Sequence, residues 1–134
     1  NNVVITPDAS SEIYSRAASY SGVLSTSLDA SGTSQTTSGN SLAVTLTTVA
    51  DNCWLIGSER SGGSGTITAG ANTTFRGGVS HVGDIADTNA AQTPAGSKSL
   101  NMNVDGVAVP ISWVALSVSP TAPATSGKNF LAFM

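Results

Sequence analysis

Few residues in this sequence are of types that carry out acid–base or nucleophilic chemistry. The chain contains one histidine, His81, and one cysteine, Cys53, so it can form neither a histidine-rich zinc site nor a disulfide within itself. Only two glutamates occur, Glu12 and Glu59, so paired-carboxylate hydrolysis would have to use aspartates, most of which stand beside Gly, Pro or Asn as turn residues do. We therefore expect no catalytic residue and no cofactor, and predict that the protein is not an enzyme.

One group of oxygen-bearing side chains is a weak candidate for a metal site. Asp84, Asp87 and Asn89 lie within six residues of one another, and carboxylate and amide oxygens are the ligands that calcium takes in proteins. Their spacing does not match the EF-hand loop, and the same residues commonly cap turns through their side chains. We interpret this stretch as a loop with turn-capping residues, with calcium binding as the alternative.

Aromatic residues are scarce, and they bear on carbohydrate binding. Exposed Trp or Tyr rings offer platforms on which sugars stack. Trp54 and Trp113 lie in apolar stretches, which predicts that they belong to the core. Tyr14 and Tyr20 remain as candidates for glycan stacking, and they would share one face if residues 12–20 form a strand.

The composition of the chain indicates the class of protein to which it belongs. Charged residues make up 10% of the 134 residues, against about 25% in ordinary soluble domains, while Ser and Thr supply about a quarter. Such a hydroxyl-rich, nearly uncharged surface loses little desolvation energy when it packs against copies of itself, and it is typical of extracellular and virion proteins. The five basic residues are scattered, which argues against nucleic-acid binding, and no apolar run reaches the ~18 residues of a membrane span.

Two apolar stretches are the predicted centre of the fold. Residues 42–56 begin with strict alternation at Leu42, Val44 and Leu46, the period of a half-buried strand. Residues 53–56 and 111–118 are nearly continuously apolar, which predicts core strands packed on both sides. They hold the two Trp residues, and we expect them to be neighbours with their large side chains buried.

The remaining sequence predicts seven to nine short strands and no helix. Residues 97–104 alternate with Leu100, Met102 and Val104 on one side, and Asp105-Gly106 after them is a hairpin signal. Residues 25–41 are polar and low in complexity, which predicts a long surface loop or an edge strand. The fold prediction is therefore all-β, an antiparallel β-sandwich of the jelly-roll or Ig-like kind.

We divide the chain into a sandwich domain, residues 1–119, and a C-terminal part, residues 120–134. The second part is a Pro/Ser/Thr linker followed by a short tail with four apolar residues that are candidates for assembly contacts: Phe130, Leu131, Phe133 and Met134. Residues 3–5 already have the pattern of a strand interior, so we expect the chain to begin inside a larger precursor. The expected partners are further copies of this chain or other structural subunits.

Four sequence blocks, in this order, carry a resemblance to a known class of domain: LTTVADNCW, GTITAGA, TPAGSKSL and WVALSVSP. They are similar to a β-sandwich domain that recurs in phage-derived structural proteins and in large bacterial surface proteins. The similarity covers most of residues 1–119 and corresponds to the later part of that domain. It implies a structural or adhesive module and carries over no active-site residue.

Together these observations predict a non-enzymatic structural module of a virion or an extracellular appendage. The alternative is a carbohydrate-binding or adhesin module on a phage fibre or a bacterial surface, with a glycan as the partner.

Overall fold

A computed structural model describes residues 18–23, 28–63, 65–77 and 84–121. These residues form eight strands and no helix, so the described chain has no helix able to cross a membrane. The strands are β1 (Ala30–Gly39), β2 (Ser41–Thr48), β3 (Trp54–Ser61), β4 (Ile67–Ala69), β5 (Thr74–Phe75), β6 (Asp84–Asp87), β7 (Gly96–Val104) and β8 (Val109–Val118).

The strands form two antiparallel sheets that pack face to face. One sheet has five strands in the order β1-β8-β3-β6-β5, and the other has three in the order β2-β7-β4. Buried side chains from both sheets form a single hydrophobic core between them. This arrangement confirms the predicted all-β antiparallel sandwich.

The smaller sheet follows the alternation of its sequence. In β2, Val44 and Leu46 face the core and are buried, and in β7 the same holds for Leu100, Met102 and Val104. Thr45 and Ser99 point outward at the same level, and their hydroxyl groups hydrogen-bond at 2.9 Å. The period-two patterns of these two strands were therefore predicted correctly.

The two Trp-bearing strands are neighbours, as predicted, but they are not packed on both sides. β3 pairs with β8 over eight residue pairs, from Trp54 with Val118 to Ser61 with Ile111. Trp113 faces the core and is 2% exposed, whereas Val114 points away from the facing sheet and is 54% exposed. The prediction that Val114 is buried is wrong, because these strands belong to an antiparallel sheet with only one face against the other sheet.

Residues 30–39 of the polar segment form an edge strand, one of the two predicted alternatives. β1 pairs with β8 from Ala30 with Ser117 to Thr36 with Ile111, and a register shift follows before Gly39. β1 passes close to β2 at Gly32, where a Cβ atom would lie 2.7 Å from Cδ2 of Leu46 and 3.1 Å from the carbonyl oxygen of Thr45. The hydroxyl-rich sequence thus forms one edge of the five-stranded sheet without contributing large core residues.

The predicted Asp105-Gly106 hairpin is wrong. β7 and β8, which flank it, belong to different sheets, so these residues form a connection between sheets. Gly106 takes a φ of +101°, which glycine adopts easily, while the amide of Asp105 donates to the carbonyl of Thr66 and the side-chain amide of Asn40 donates to the carbonyl of Gly106. The sequence indicated the turn correctly, but these distant contacts direct the strand after it.

The interpretation of the stretch from Asp84 to Asn89 as a loop is also wrong at its start. β6 extends through Asp87 and pairs with β3, so Ala86 belongs to a strand and is fully buried in the core.

Two sets of contacts gather the described ends of the chain at one end of the five-stranded sheet. Val23 forms an isolated antiparallel bridge with Pro120, and the amide of Thr121 donates to the carbonyl of Gly22 at 2.9 Å. Beside them, the carboxylate of Asp29 accepts the amide hydrogens of Val49 and Ala50 and the hydroxyl of Ser117.

These contacts set the protonation of Asp29. Burial alone would raise the pKa of Asp29, but the hydrogen bonds from Val49, Ser117 and Ala50 outweigh it and hold the pKa below its ordinary value. The charged carboxylate therefore fixes the start of β1 to the turn between β2 and β3.

The packing of β8 predicts opposite outcomes for two adjacent substitutions. Trp113→Ala empties a buried site and should lower the free energy of unfolding by about 3–5 kcal/mol. Val114→Ala removes an exposed side chain and should change it by about 0.5 kcal/mol or less. Urea unfolding followed by far-UV circular dichroism measures both, and equal midpoints for Trp113→Ala and the parent would contradict the assigned inward face of β8.

Candidate functional site

A cluster of four polar side chains lies where β5 and β6 meet the segment of residues 18–23. We call it the polar cluster, and it consists of Tyr20, Arg76, Asp87 and Asn89. The guanidinium of Arg76 donates to both oxygens of Asp87, from Nε at 2.7 Å and from Nη2 at 2.6 Å, and Nη2 also donates to Oδ1 of Asn89 at 2.6 Å. Asp87 accepts two further hydrogen bonds, from the hydroxyl of Tyr20 at 2.8 Å and from the amide of Asn89 at 2.7 Å.

Strand pairing brings these residues together. Thr74 in β5 lies opposite Asp87 in β6, which places Arg76, two residues after Thr74, beside the same strand. Asn89 has a φ of +53°, a conformation that Asn tolerates better than most residues, and its amide closes an Asx turn on Asp87. The fully buried carboxylate of Asp87 thus accepts from a strand neighbour, a turn and a distant tyrosine.

The electrostatics of the polar cluster follow from this geometry. Burial alone would raise the pKa of Asp87, but the hydrogen bonds from Arg76, Tyr20 and the Asn89 amide outweigh it and hold the pKa below its ordinary value. Desolvation and the hydrogen bond to Asp87 raise the pKa of Tyr20 to about 12, and the same carboxylate raises the pKa of Arg76. Asp87 is therefore charged, and Tyr20 keeps its proton as a hydrogen-bond donor at neutral pH.

An open groove of about 540 Å³ lies beside the polar cluster. Its walls include the rings of Tyr20 and Trp54, whose centroids are 6.3 Å apart with planes inclined at 54°, together with Arg76 and Asp87. Trp54 is half-buried on the outer face of β3, which departs from the prediction of a buried core residue. The groove combines two aromatic rings with a guanidinium and a buried carboxylate.

The three candidate calcium ligands do not act together. Asp84 and Asp87 belong to β6 and not to a loop, and side chains three apart in a strand point to opposite faces. Asp87 and Asn89 do converge, but on the guanidinium of Arg76, a cation from the chain itself. Across the ranges that the structure describes, no group of three or more His, Cys, Asp or Glu side chains is arranged to hold a metal ion.

The remaining predicted residues have different outcomes. Tyr14, His81 and the four tail residues, Phe130, Leu131, Phe133 and Met134, lie outside the described residues. Cys53 is fully buried, as predicted, and its thiol donates to the carbonyl of Ala50 at 3.0 Å. Desolvation raises the pKa of Cys53, so it remains a thiol at neutral pH.

The outer face of the five-stranded sheet carries a second surface feature. We call it the apolar patch, and it consists of Ile56, Ile85, Val114 and Leu116, which surround a depression of about 220 Å³ beside Ala18. These four residues lie on three neighbouring strands, β8, β3 and β6, with their side chains on the outer face. Val114 is the most exposed of them. Sequence reasoning missed the patch because it assigned Ile56, Val114 and Leu116 to the core.

Comparison of this chain with protein-family models, with curated proteins and with solved structures found no match. The site is therefore described by its own chemistry. The polar cluster holds the segment of residues 18–23 against β6, because every oxygen of Asp87 is engaged by a donor from the described chain.

Removal of the central carboxylate should weaken the sandwich. Asp87→Asn takes away the ion pair and replaces one of the two acceptor oxygens by an amide group that cannot accept from the surrounding donors, so the free energy of unfolding at pH 7 should fall by about 1.5–3 kcal/mol. Tyr20→Phe removes one hydrogen bond and should cost about 1 kcal/mol. Chemical denaturation of the three proteins measures both values.

The same substitution predicts a pH dependence. Because the pKa of Asp87 is lowered by folding, its contribution is present above the ordinary aspartate value of 3.8 and is lost as the pH falls through the folded value. The stability difference between the parent and Asp87→Asn should therefore shrink during an acid titration. A difference that stays constant below the ordinary value would contradict the assigned role of the ion pair.

Proposed function

We propose that this chain is a non-enzymatic structural module that assembles with copies of itself in a virion component or an extracellular appendage. The observation that carries the proposal is the apolar patch, in which Val114 is 54% exposed. Exposed apolar clusters on a sheet face favour contact with another protein surface, since burying them removes apolar area from water.

The low charge of the surrounding strands supports the same proposal. β1, β2 and β8 contain no charged residue, although β1 is the edge strand of the larger sheet. Natural edge strands are commonly protected by charged side chains that oppose pairing with another chain. An uncharged edge beside an apolar face offers little electrostatic resistance to association.

The four tail residues named above are proposed as further assembly contacts. The extracellular or virion location is proposed from the composition and the resemblance.

Two exposed valines allow a matched test of the apolar patch. Val114→Lys places a charge in the patch, whereas Val107→Lys places the same charge in the turn after Gly106, where Val107 is 84% exposed. We expect the parent and Val107→Lys to assemble and Val114→Lys to remain monomeric, because a buried unpaired charge opposes the contact. Light scattering after size-exclusion chromatography measures the mass, and thermal melting of the monomer controls for folding.

A deletion of residues 128–134 distinguishes assembly through the tail from assembly through the apolar patch. Loss of assembly with an unchanged monomer melt would assign the contact to the tail. Assembly that survives both the deletion and Val114→Lys would refute these contacts, and a parent that is monomeric at all concentrations and without visible polymers would refute self-assembly.

A second function, binding of a carbohydrate as an adhesin module, is favoured by one observation. The groove beside the polar cluster presents the rings of Tyr20 and Trp54 next to the guanidinium of Arg76. Half-exposed aromatic rings with adjacent hydrogen-bonding groups suit a sugar ring, which has an apolar face and polar edges. A glycan array of the parent with Tyr14→Ala and Tyr20→Ala tests it. Specific binding that is lost in Tyr20→Ala would favour the adhesin over the structural module.

A further inference from the structure

Two carboxyl groups face each other inside the sandwich. Glu59 of β3 and Asp84 of β6 are directly opposite in the strand register, and both point toward the core. Their side chains are 2% and 1% exposed. They form the last residue pair of the four that join β3 to β6.

Most of the polar atoms of this pair lack a partner. Neither oxygen of Glu59 nor Oδ2 of Asp84 has a hydrogen-bond donor within the described chain, and only Oδ1 of Asp84 accepts a hydrogen bond, from the amide of Ile85. Trp113 lies opposite Glu59 on the other side of β3, and its indole nitrogen is also unpartnered. An ionised carboxylate without a partner is very costly in a protein interior, and two adjacent ones are worse.

No cation of the described elements compensates the pair. On β3, Arg60 lies on the outer face, and β8, β2 and β4 have no charged residue. On β6, Asp87 points to the opposite face and is bound by Arg76, which forms the single ion pair found in the described part of the chain. On β7, the one charged residue is Lys98, opposite Leu46, and it makes no ion pair with either carboxyl group.

Burial beside another carboxyl group favours the protonated form of Glu59. Desolvation by burial, followed by the negative charge of Asp84, outweighs the lowering effect of the nearby backbone amide of Asp84 and raises the pKa of Glu59 from 4.5 to about 7. A neutral carboxylic acid avoids the cost of a buried charge, and it also gains a hydrogen that the neighbouring carboxylate can accept.

We propose that Glu59 carries a proton in the folded sandwich under mildly acidic conditions, beside Asp84, and that loss of this proton as the pH rises to neutrality and above weakens the β3–β6 pairing. The pair is then a pH-sensitive element in the core. Because the β3–β6 ladder has only four residue pairs and ends in Asp87 at its other end, weakening it also loosens the support of the polar cluster.

The direction of the effect follows from linkage. A carboxyl group whose pKa is raised by folding stabilises the protein fully below its unfolded value, here about 4.5, and the contribution is lost as the pH rises through about 7. The folded state therefore holds one more proton than the unfolded state within that window. The unfolding equilibrium constant should rise by up to about tenfold per pH unit between these two values.

The test compares three proteins by denaturant unfolding over this pH range. The parent should show the rise, Glu59→Gln should show little or none of it because its side chain is neutral at every pH, and Asp105→Asn should behave like the parent because Asp105 is exposed. A pH dependence that is unchanged in Glu59→Gln would overturn the proposal. A dependence that disappears instead in His81→Gln would also overturn it, since histidine titrates near the same pH.

A second measurement keeps the proposal testable if Glu59→Gln does not fold. The ¹³C chemical shift of the Glu59 carboxyl carbon in the intact parent reports its protonation directly. We expect a midpoint near pH 7, while a midpoint at the ordinary glutamate value of about 4.3 would overturn the proposal.

Discussion

The antiparallel pairing of β3 with β8 is the interaction on which the rest of this structure depends. It fixes which side chains face the core and which form the outer face, because alternate residues of a strand point to opposite sides. Leu55, Glu59 and Trp113 lie in the inner rows, while Ile56 and Val114 lie in the outer rows. A slip of one residue would exchange the two rows, so the buried carboxyl pair and the apolar patch both depend on a single register.

Much of the fold could be predicted where the sequence alternates strictly. Apolar residues alternate with polar ones at Leu42, Val44 and Leu46 in β2 and at Leu100, Met102 and Val104 in β7, and one buried face is the simplest structure that satisfies that period. The run around Val114 has no such period, so it could not distinguish one-sided from two-sided burial. The path after Asp105-Gly106 could not be predicted either, because turn residues determine the local backbone, whereas the choice of sheet depends on contacts with Asn40 and Thr66.

The candidate site was less predictable than the fold. Tyr20 could be singled out as an aromatic residue outside the apolar stretches, but its acceptor, Asp87, is 67 residues away in sequence. Arg76 reaches Asp87 only because β5 pairs with β6 in one particular register, and no motif of residue types encodes that register. The burial of Glu59 was likewise hidden, since charged residues such as Glu59 and Arg60 after an apolar run ordinarily indicate that the chain is returning to solvent.

The contacts at Gly22, Val23, Pro120 and Thr121 have a mechanical consequence. Because the first and last described segments adjoin at one end of the larger sheet, tension applied between residues 22 and 121 acts on the short bridge that joins them. That bridge contains few hydrogen bonds, and they would be loaded before the long β1–β8 and β3–β8 ladders. The sandwich therefore lies to the side of the line of force, and its core is shielded until the bridge has opened.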